Sequence, residues 1–226
     1  MPRRGRIVIL GLPHHVTQRG NNQQDVFFVD GDREAYLRVL REQCGKHGVR
    51  VLAYCLMTNH IHLVLTPARE DSLNPAVGRT HFIYTQHVNR LHGRSGHLWQ
   101  GRFHSAPMDE AHALAAVRYV ERNPVRAKMT RAPWTYRWSS AAAHTGAPDA
   151  TRILDLQAWN QLADGITWKE FLTKPEDQEM TAALRLNTRI GRPLATDSFL
   201  SKLEHKLNRR LRPLPVGRPN KPQPKP

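Results

Sequence analysis

His60-Ile61-His62 opens the run His-Ile-His-Leu-Val-Leu, and its spacing matters because side chains along a strand alternate faces with period two. Both imidazoles then share one face, roughly 6–7 Å apart at the backbone at the usual strand rise, while Ile61, Leu63 and Leu65 turn to the other as core. Two imidazoles held in this way can share a divalent metal, although an isolated His-x-His also occurs as a solvent-facing pair on an uncovered sheet. Tyr119 and Asn123 stand four residues apart in Val117-Arg-Tyr-Val-Glu-Arg-Asn-Pro-Val125, which puts them on one helix face. Leu114, Val117 and Val120 can form the buried stripe of that helix. Pro124 disfavours the α conformation at Asn123, so the amide is expected at a fraying helix end, where it can coordinate a metal. The same two residues also read as a packed aromatic and an ordinary helix-ending Asn. Taken with the histidines, they describe phosphoryl transfer. A phenol with a pKa of about 10 is a poor nucleophile at neutral pH, but a metal that polarises the scissile phosphate makes its attack feasible and leaves a covalent phosphotyrosine. Tyr84 is the rival nucleophile; its i+4 neighbour is Val88, which cannot ligate a metal, and the tyrosine reads as packed or facing nucleic acid.

The elements that must position these groups follow from pattern. Val8 to Arg19 reads as a strand region despite Pro13, ended by Gly20-Asn21-Asn22. A helix follows that Asp32 can cap, with Tyr36, Leu37, Leu40 and Cys44 at helical spacing and an end at Gly45 or His47-Gly48. Val49–Leu56 and His60–Thr66 form two β-rich runs joined by Met57-Thr58-Asn59, a hairpin signal. A second helix is predicted from Leu73 or Pro75 to Leu91, a fourth strand over Leu98–Ser105, and a further helix from Asp109 to about Asn123, stopped by Pro124. The order β-α-β-β-α-β predicts an α+β fold of the ferredoxin-like, split βαβ type: an antiparallel sheet with helices on one face, followed by a basic helical C-terminal extension. In that extension Thr196 or Asp197 can cap a helix bearing Phe199, Leu200, Leu203 and Leu207.

The 226 residues carry 34 Lys+Arg against 19 Asp+Glu, a formal net charge of +15, which points to a polyanionic partner. Nucleic acid leads over anionic lipid because no long basic amphipathic helix with an aromatic face is present. No apolar stretch approaches the ~18–20 residues of a membrane span, and Ile7–Leu12 is stopped by Pro13-His14-His15 before a secretory core can form. The expectation is a cytoplasmic, nucleoid-associated protein with no membrane contact. Cys44 and Cys55 can make neither a disulfide framework nor a cysteine zinc cage and read as small buried hydrophobes. The length fits one domain with an appendage and excludes a multidomain enzyme.

Several blocks, in order and at compatible separations, carry a resemblance. Pro13-His-His-Val-Thr-Gln-Arg-Gly-Asn-Asn22, Tyr54-Cys-Leu-Met-Thr-Asn-His-Ile-His-Leu-Val64, His92-Gly-Arg-Ser-Gly-His-Leu-Trp-Gln-Gly-Arg-Phe103 and Tyr119-Val-Glu-Arg-Asn-Pro-Val125 resemble the His-hydrophobe-His single-strand DNA transposases with one catalytic tyrosine. Within these, the chain looks most like the REP-associated tyrosine transposases. The resemblance implies that His60 and His62 bind Mg²⁺ or Mn²⁺, that Tyr119 is the nucleophile and that Asn123, where compact relatives carry Gln, completes the metal site. It implies cleavage of single-stranded DNA beside a REP-like hairpin, giving a 5′-phosphotyrosine and a free 3′-hydroxyl; a monomer is favoured, and a homodimer stays open. Arg19, Arg94, Arg102, Lys206, Arg209 and Arg210 are the expected DNA contacts. The expected division is a catalytic domain over 1–145, a helical extension over 146–212 and a disordered Pro-rich basic tail over 213–226. Two other readings stay open: a metal hydrolase that activates water on the histidines without a covalent step, and a non-catalytic platform for structured nucleic acid.

Overall fold

The hairpin that makes one side of the sheet forms where the β-rich runs are densest. In the computed structural model, which describes residues 5–212, the strands run β1 His14–Arg19, β2 Val49–Leu56, β3 His60–Pro67 and β4 His104–Pro107. The helices are α1 Asp30–His47, α2 Leu73–Leu91, α3 Glu110–Glu121, α4 Asn123–Arg126, α5 Ala141–His144, α6 Leu156–Leu162, α7 Trp168–Thr173, α8 Gln178–Ile190 and α9 Asp197–Leu207. Met57 N donates to His60 O at 2.9 Å to close the link between β2 and β3. The sheet order is β2-β3-β1-β4 with every pair antiparallel. This is the split βαβ arrangement, an α+β fold.

Helix ends follow local chemistry. The first helix starts two residues before Asp32, so that residue is not the cap; from the third helical position its carboxylate reaches back to accept from the amides of Phe28 (2.7 Å) and Val29 (3.1 Å). His92, just past α2, also meets it at 3.0 Å. Burial alone would raise the Asp32 carboxyl, but the bonds from His92 and the two amides outweigh it and hold it below the usual range. Gly48 closes α1 in the left-handed conformation with φ 64°, where a residue without Cβ meets least resistance.

Three expected elements differ. Only His14–Arg19 of the first run is strand, because Pro13 has no amide to give to a ladder; Ile7 and Ile9 instead pack with Leu203 and Leu211 in a small second core. The fourth strand is confined to His104–Pro107. The residues before it wrap the end of β1, with Gln100 N on Arg19 O at 2.8 Å and Gly101 at φ 63°. The third helix stops at Glu121, and Asn123 does not fray: it begins α4, where Pro124 fits the first turn because its missing N–H would be unpaired there in any case.

Strand alternation sets the layers. Ile61, Leu63 and Leu65 point to the face covered by α1 and α2, within the main hydrophobic core. The opposite face carries His60 and His62, and across it lies α3, whose Ala113, Ala116, Val117 and Val120 are buried. Trp159, Trp168, Leu172 and Leu184 of the later helices join the same core. Leu194 N donates to Pro107 O at 2.9 Å, covering the open edge of β4. Among the described residues no helix is long and apolar enough to cross a membrane, and Cys44 and Cys55 are buried free thiols. The Pro-rich tail expected over 213–226 lies outside the described residues.

Candidate active site

β1 and β3 together build the floor of the site. Thr17 lies opposite His62 and Arg19 opposite His60, so these side chains share the face that the two histidines use. His15, two residues before Thr17, joins them: its ring is stacked on His62 at 5.3 Å with an interplanar angle of 3°. The His60 and His62 rings stand 5.1 Å apart and nearly perpendicular.

His60 and His62 each have one ring nitrogen engaged, and His15 has both. Asn59 gives its amide N–H to Gln23 O at 3.1 Å, which turns its oxygen toward His60 Nδ1 at 2.6 Å. That nitrogen therefore carries the proton, and His60 Nε2 carries the lone pair. His62 Nδ1 meets His15 Nε2 at 3.0 Å, and His15 Nδ1 meets Thr188 Oγ1 of α8 at 2.8 Å. Burial lowers the pKa of His15 to about 3 and, with the charge of Arg19, that of His60 to about 4. Burial and the neighbouring His15 and His60 push His62 well below the ordinary value. All three are neutral imidazoles near pH 7.

α3 lays Tyr119 over this floor. Its ring meets His62 edge-on at 5.5 Å and His15 at 5.7 Å. The Arg126 guanidinium sits 4.3 Å from the centre of the Tyr119 ring and is itself paired with Glu176. Arg185 Nε of α8 donates to the Tyr119 hydroxyl at 3.2 Å. Asn123 is buried, and its amide nitrogen has no hydrogen-bond partner among the described residues. The three histidines, Tyr119, Asn123 and Arg185 line one cavity of ≈ 460 Å³.

The helix that bears Tyr119 is fastened along its length. The fully buried Glu121 carboxylate accepts from Ser140 Oγ at 2.5 Å and from Trp168 Nε1 at 2.8 Å, with His144 Nδ1 2.6 Å away. His144 stacks on Trp159 at 3.8 Å. Arg118 donates to the carbonyls of Phe171 (2.8 Å), Lys174 and Pro175 (3.0 Å), and Arg122 to that of Leu172.

Beside the cavity, and sharing Gln100, His104, Thr188 and Arg189 with it, runs a groove of ≈ 690 Å³. Arg6, Arg102, Arg189, Arg192, Arg209 and Arg210 line it, and among the described residues no carboxylate does. Burial and the neighbouring Arg102 charge lower the pKa of Arg6 to about 10.

The structure thus brings His60, His62, Tyr119, Asn123 and Arg19 into one cavity and Arg102, Arg209 and Arg210 into the adjoining groove. Arg94 lies elsewhere, bonded to Gln24 Oε1 at 2.5 Å and stacked over Phe28, and Lys206 lines neither. Tyr84 is fully buried among Phe27, Tyr36 and Trp99, with its hydroxyl on Val26 O at 2.6 Å. Burial pushes its pKa up, and it has no route to the cavity. Sequence reasoning missed His15, Arg126, Arg185 and Thr188. His15 was within reach, because it alternates with Thr17 and Arg19 on one strand face; Arg185 and Thr188 carried no local signal.

Residues 10–123 match the family model described as "Transposase IS200 like". Among solved structures, the chain resembles a REP-associated tyrosine transposase bound to a REP hairpin, with TM-score 0.53 at 16% identity over 66% of this chain and 89% of that one. At that identity the likeness shows the fold alone. A protein described as a transposase from Deinococcus radiodurans R1 aligns with TM-score 0.37 at 19% identity over 57% of this chain and 94% of that one, too low to carry an argument. No curated protein matches.

Proposed function

The chain belongs to the IS200-like transposase family, a family of DNA-cleaving enzymes, and from that premise we propose that it is a metal-dependent single-strand DNA endonuclease and strand-transferase that works through a covalent 5′-phosphotyrosine at Tyr119. The observation that carries this reading is the seating of Tyr119 directly over the His15–His62 pair of its own chain. A tyrosine with only a packing role has no need of a cavity shared with two strand histidines and a buried amide.

The donors fit a divalent ion. His60 Nε2 is free by the Asn59 bond. His62 Nε2 is free when its Nδ1–H donates to His15 and His15 in turn donates to Thr188, the direction that leaves a lone pair facing the cavity. The unpartnered Asn123 amide, turned oxygen-first, is the third donor. No group of three His, Cys, Asp or Glu among the described residues is arranged to hold a metal. His60, His62 and Asn123 would hold a divalent ion such as Mg²⁺ or Mn²⁺ with few protein donors, which would leave it accessible to a phosphate oxygen. When bound, the ion supplies a Lewis acid that polarises the scissile phosphate. Tyr119 Oη forms the bond to phosphorus, the bond from phosphorus to the 3′-oxygen breaks, and one proton passes from the phenol side to the departing 3′-hydroxyl.

The adjoining groove suits a phosphodiester chain, because the guanidiniums that line it can neutralise phosphates whatever the base sequence. We take single-stranded DNA with a hairpin as the substrate; the structural relative described as bound to a REP hairpin supports this choice. Nucleophile and histidines meet within one chain, which favours action as a monomer. In this reading residues 1–145 are the catalytic segment and 146–212 the extension. The test incubates the protein with hairpin oligonucleotides of random flank plus Mn²⁺ and looks for a protein–DNA adduct on a denaturing gel. An adduct that disappears in Tyr119→Phe and with EDTA supports the reading. Cleavage that persists in Tyr119→Phe moves the case to a water-activating hydrolase, and binding without cleavage to a platform.

A further inference from the structure

Resting on the reading of Tyr119 as nucleophile, we infer that Arg185 is a catalytic residue, supplied by a helix outside the segment that matches the family. That segment ends at residue 123, and Arg185 lies on α8, whose Leu184 is buried in the main core. The helix is held close to the site at two further points: Thr188, on the same face three residues on, bonds to His15 at 2.8 Å, and the Arg189 carbonyl bonds to His104 Nδ1 at 3.1 Å. The side chain itself is exposed at the cavity rim, so its place at the Tyr119 oxygen is not required to fill a core.

Two guanidiniums flank the tyrosine, and they do different things. Arg126 lies over the ring and turns its Nε and a terminal nitrogen to Glu176. Arg185 gives one donor, Nε–H, to the reacting oxygen at 3.2 Å, and that bond together with the charge of Tyr119 raises the pKa of the guanidinium. Its terminal nitrogens make no hydrogen bond among the described residues. A guanidinium offers five N–H groups in a fixed fork. One edge can therefore hold Oη while another donates to a non-bridging oxygen of the scissile phosphate, which sets the angle of attack and meets the negative charge that builds as the new P–O bond forms and the P–O3′ bond breaks. Proton and atom balance are those of the transesterification already given; Arg185 remains protonated throughout.

The experiment uses the full chain and the hairpin oligonucleotide that gives most adduct with the natural sequence. It compares single-turnover adduct formation by the natural sequence, Arg185→Ala and Arg185→Lys, with hairpin affinity by fluorescence anisotropy, Mn²⁺ affinity and thermal midpoint measured on each. Loss of one donor to developing charge predicts a rate about 10²–10³-fold lower for Arg185→Ala. Hairpin affinity, Mn²⁺ affinity and midpoint should stay near the natural values. Guanidinium chloride at a sub-denaturing concentration should restore part of the Arg185→Ala rate and leave the natural sequence unchanged. A rate within about threefold of the natural one, or a fall that only matches lost hairpin affinity, would overturn the inference, since the energy of a transition-state donor is read in rate and not in binding. Absence of any adduct with the natural sequence would instead refute the function itself, and this role with it.

Discussion

Thr188→Val is an isosteric change that removes one oxygen from the relay Thr188–His15–His62, and its size can be worked out. His15 is 1% exposed and Thr188 3%, so water cannot replace the lost partner of His15 Nδ1 at 2.8 Å. A buried donor left unsatisfied costs about 1–3 kcal/mol. For a chain of this length that lowers the thermal midpoint by roughly 2–12 °C. The second effect is specific to the metal reading. With Thr188 gone, His15 has no acceptor for Nδ1–H and is free to turn its proton to His62, which moves the His62 proton to the nitrogen that should face the ion. Partners of this kind are worth about 10–100-fold in metal affinity. Mn²⁺ titration followed by electron paramagnetic resonance on the natural sequence, Thr188→Val and Thr188→Ser reads this directly, without DNA. Val should weaken Mn²⁺ by that factor and Ser should recover most of it. A Val variant with a lower midpoint but unaltered Mn²⁺ affinity would refute the relay and leave Thr188 as a packing residue.

Four buried histidines make the fold acid-sensitive. His14, His15, His62 and His81 all have pKa values lowered chiefly by burial, to about 4, 3 and 3 for the first, second and last. The unfolded chain takes up protons as pH falls through about 6.5 while the folded one does not, so stability is full above that pH and falls below it by about 1.4 kcal/mol per unit for each group. Urea midpoints should drop steeply from pH 7 to pH 5, and equal midpoints would contradict the burial argument. Gly20→Ala should destabilise by at least about 1–3 kcal/mol, because its Cβ would meet Gln24 O at 2.1 Å, a backbone atom that cannot swing aside; an unchanged urea midpoint would show that the turn yields. Arg102→Ala and Arg209→Ala should each reduce the slope of log affinity against log salt for a single strand by about 0.7, and unaltered slopes would remove the groove from the DNA path.

What could be read from sequence was what lies within one element. The period of two in His60-Ile61-His62 gave a face, the interval from Tyr119 to Asn123 gave a helix side, and the α1–β2–β3–α2 stretch needed no partner to be recognised. The failures share one cause: they depend on what a residue meets in space. Leu98–Phe103 has strand composition, but its Gln100 amide goes to Arg19 O at the end of β1, its Gly101 amide to Trp99 O, and its Leu98 carbonyl to the Asn21 amide. Ile7 and Ile9 alternate as a strand would, yet their apolar partners are Leu203 and Leu211, nearly the whole chain away. Arg185 and Thr188 look like any polar pair on an amphipathic helix, and only the packing of α8 against β1, β4 and α3 makes them neighbours of the site.

The fastening of α3 bears on how two DNA ends could be exchanged. Glu121, Arg118 and Arg122 tie the tyrosine helix to two later stretches of the same chain, Ser140 and α7, through buried and part-buried side-chain bonds, and breaking those of Glu121 exposes an unpaired carboxylate in a dry interior. In the proposed mechanism, a nucleophile anchored in this manner cannot ferry its attached strand to a distant receiver. The linked end stays where it was cut, and rejoining becomes a docking problem for the incoming 3′-hydroxyl: the receiving strand has to enter over the open rim of the cavity while the departed one vacates it, so the order of traffic through a single doorway, rather than any swing of the enzyme, would set the pace of exchange.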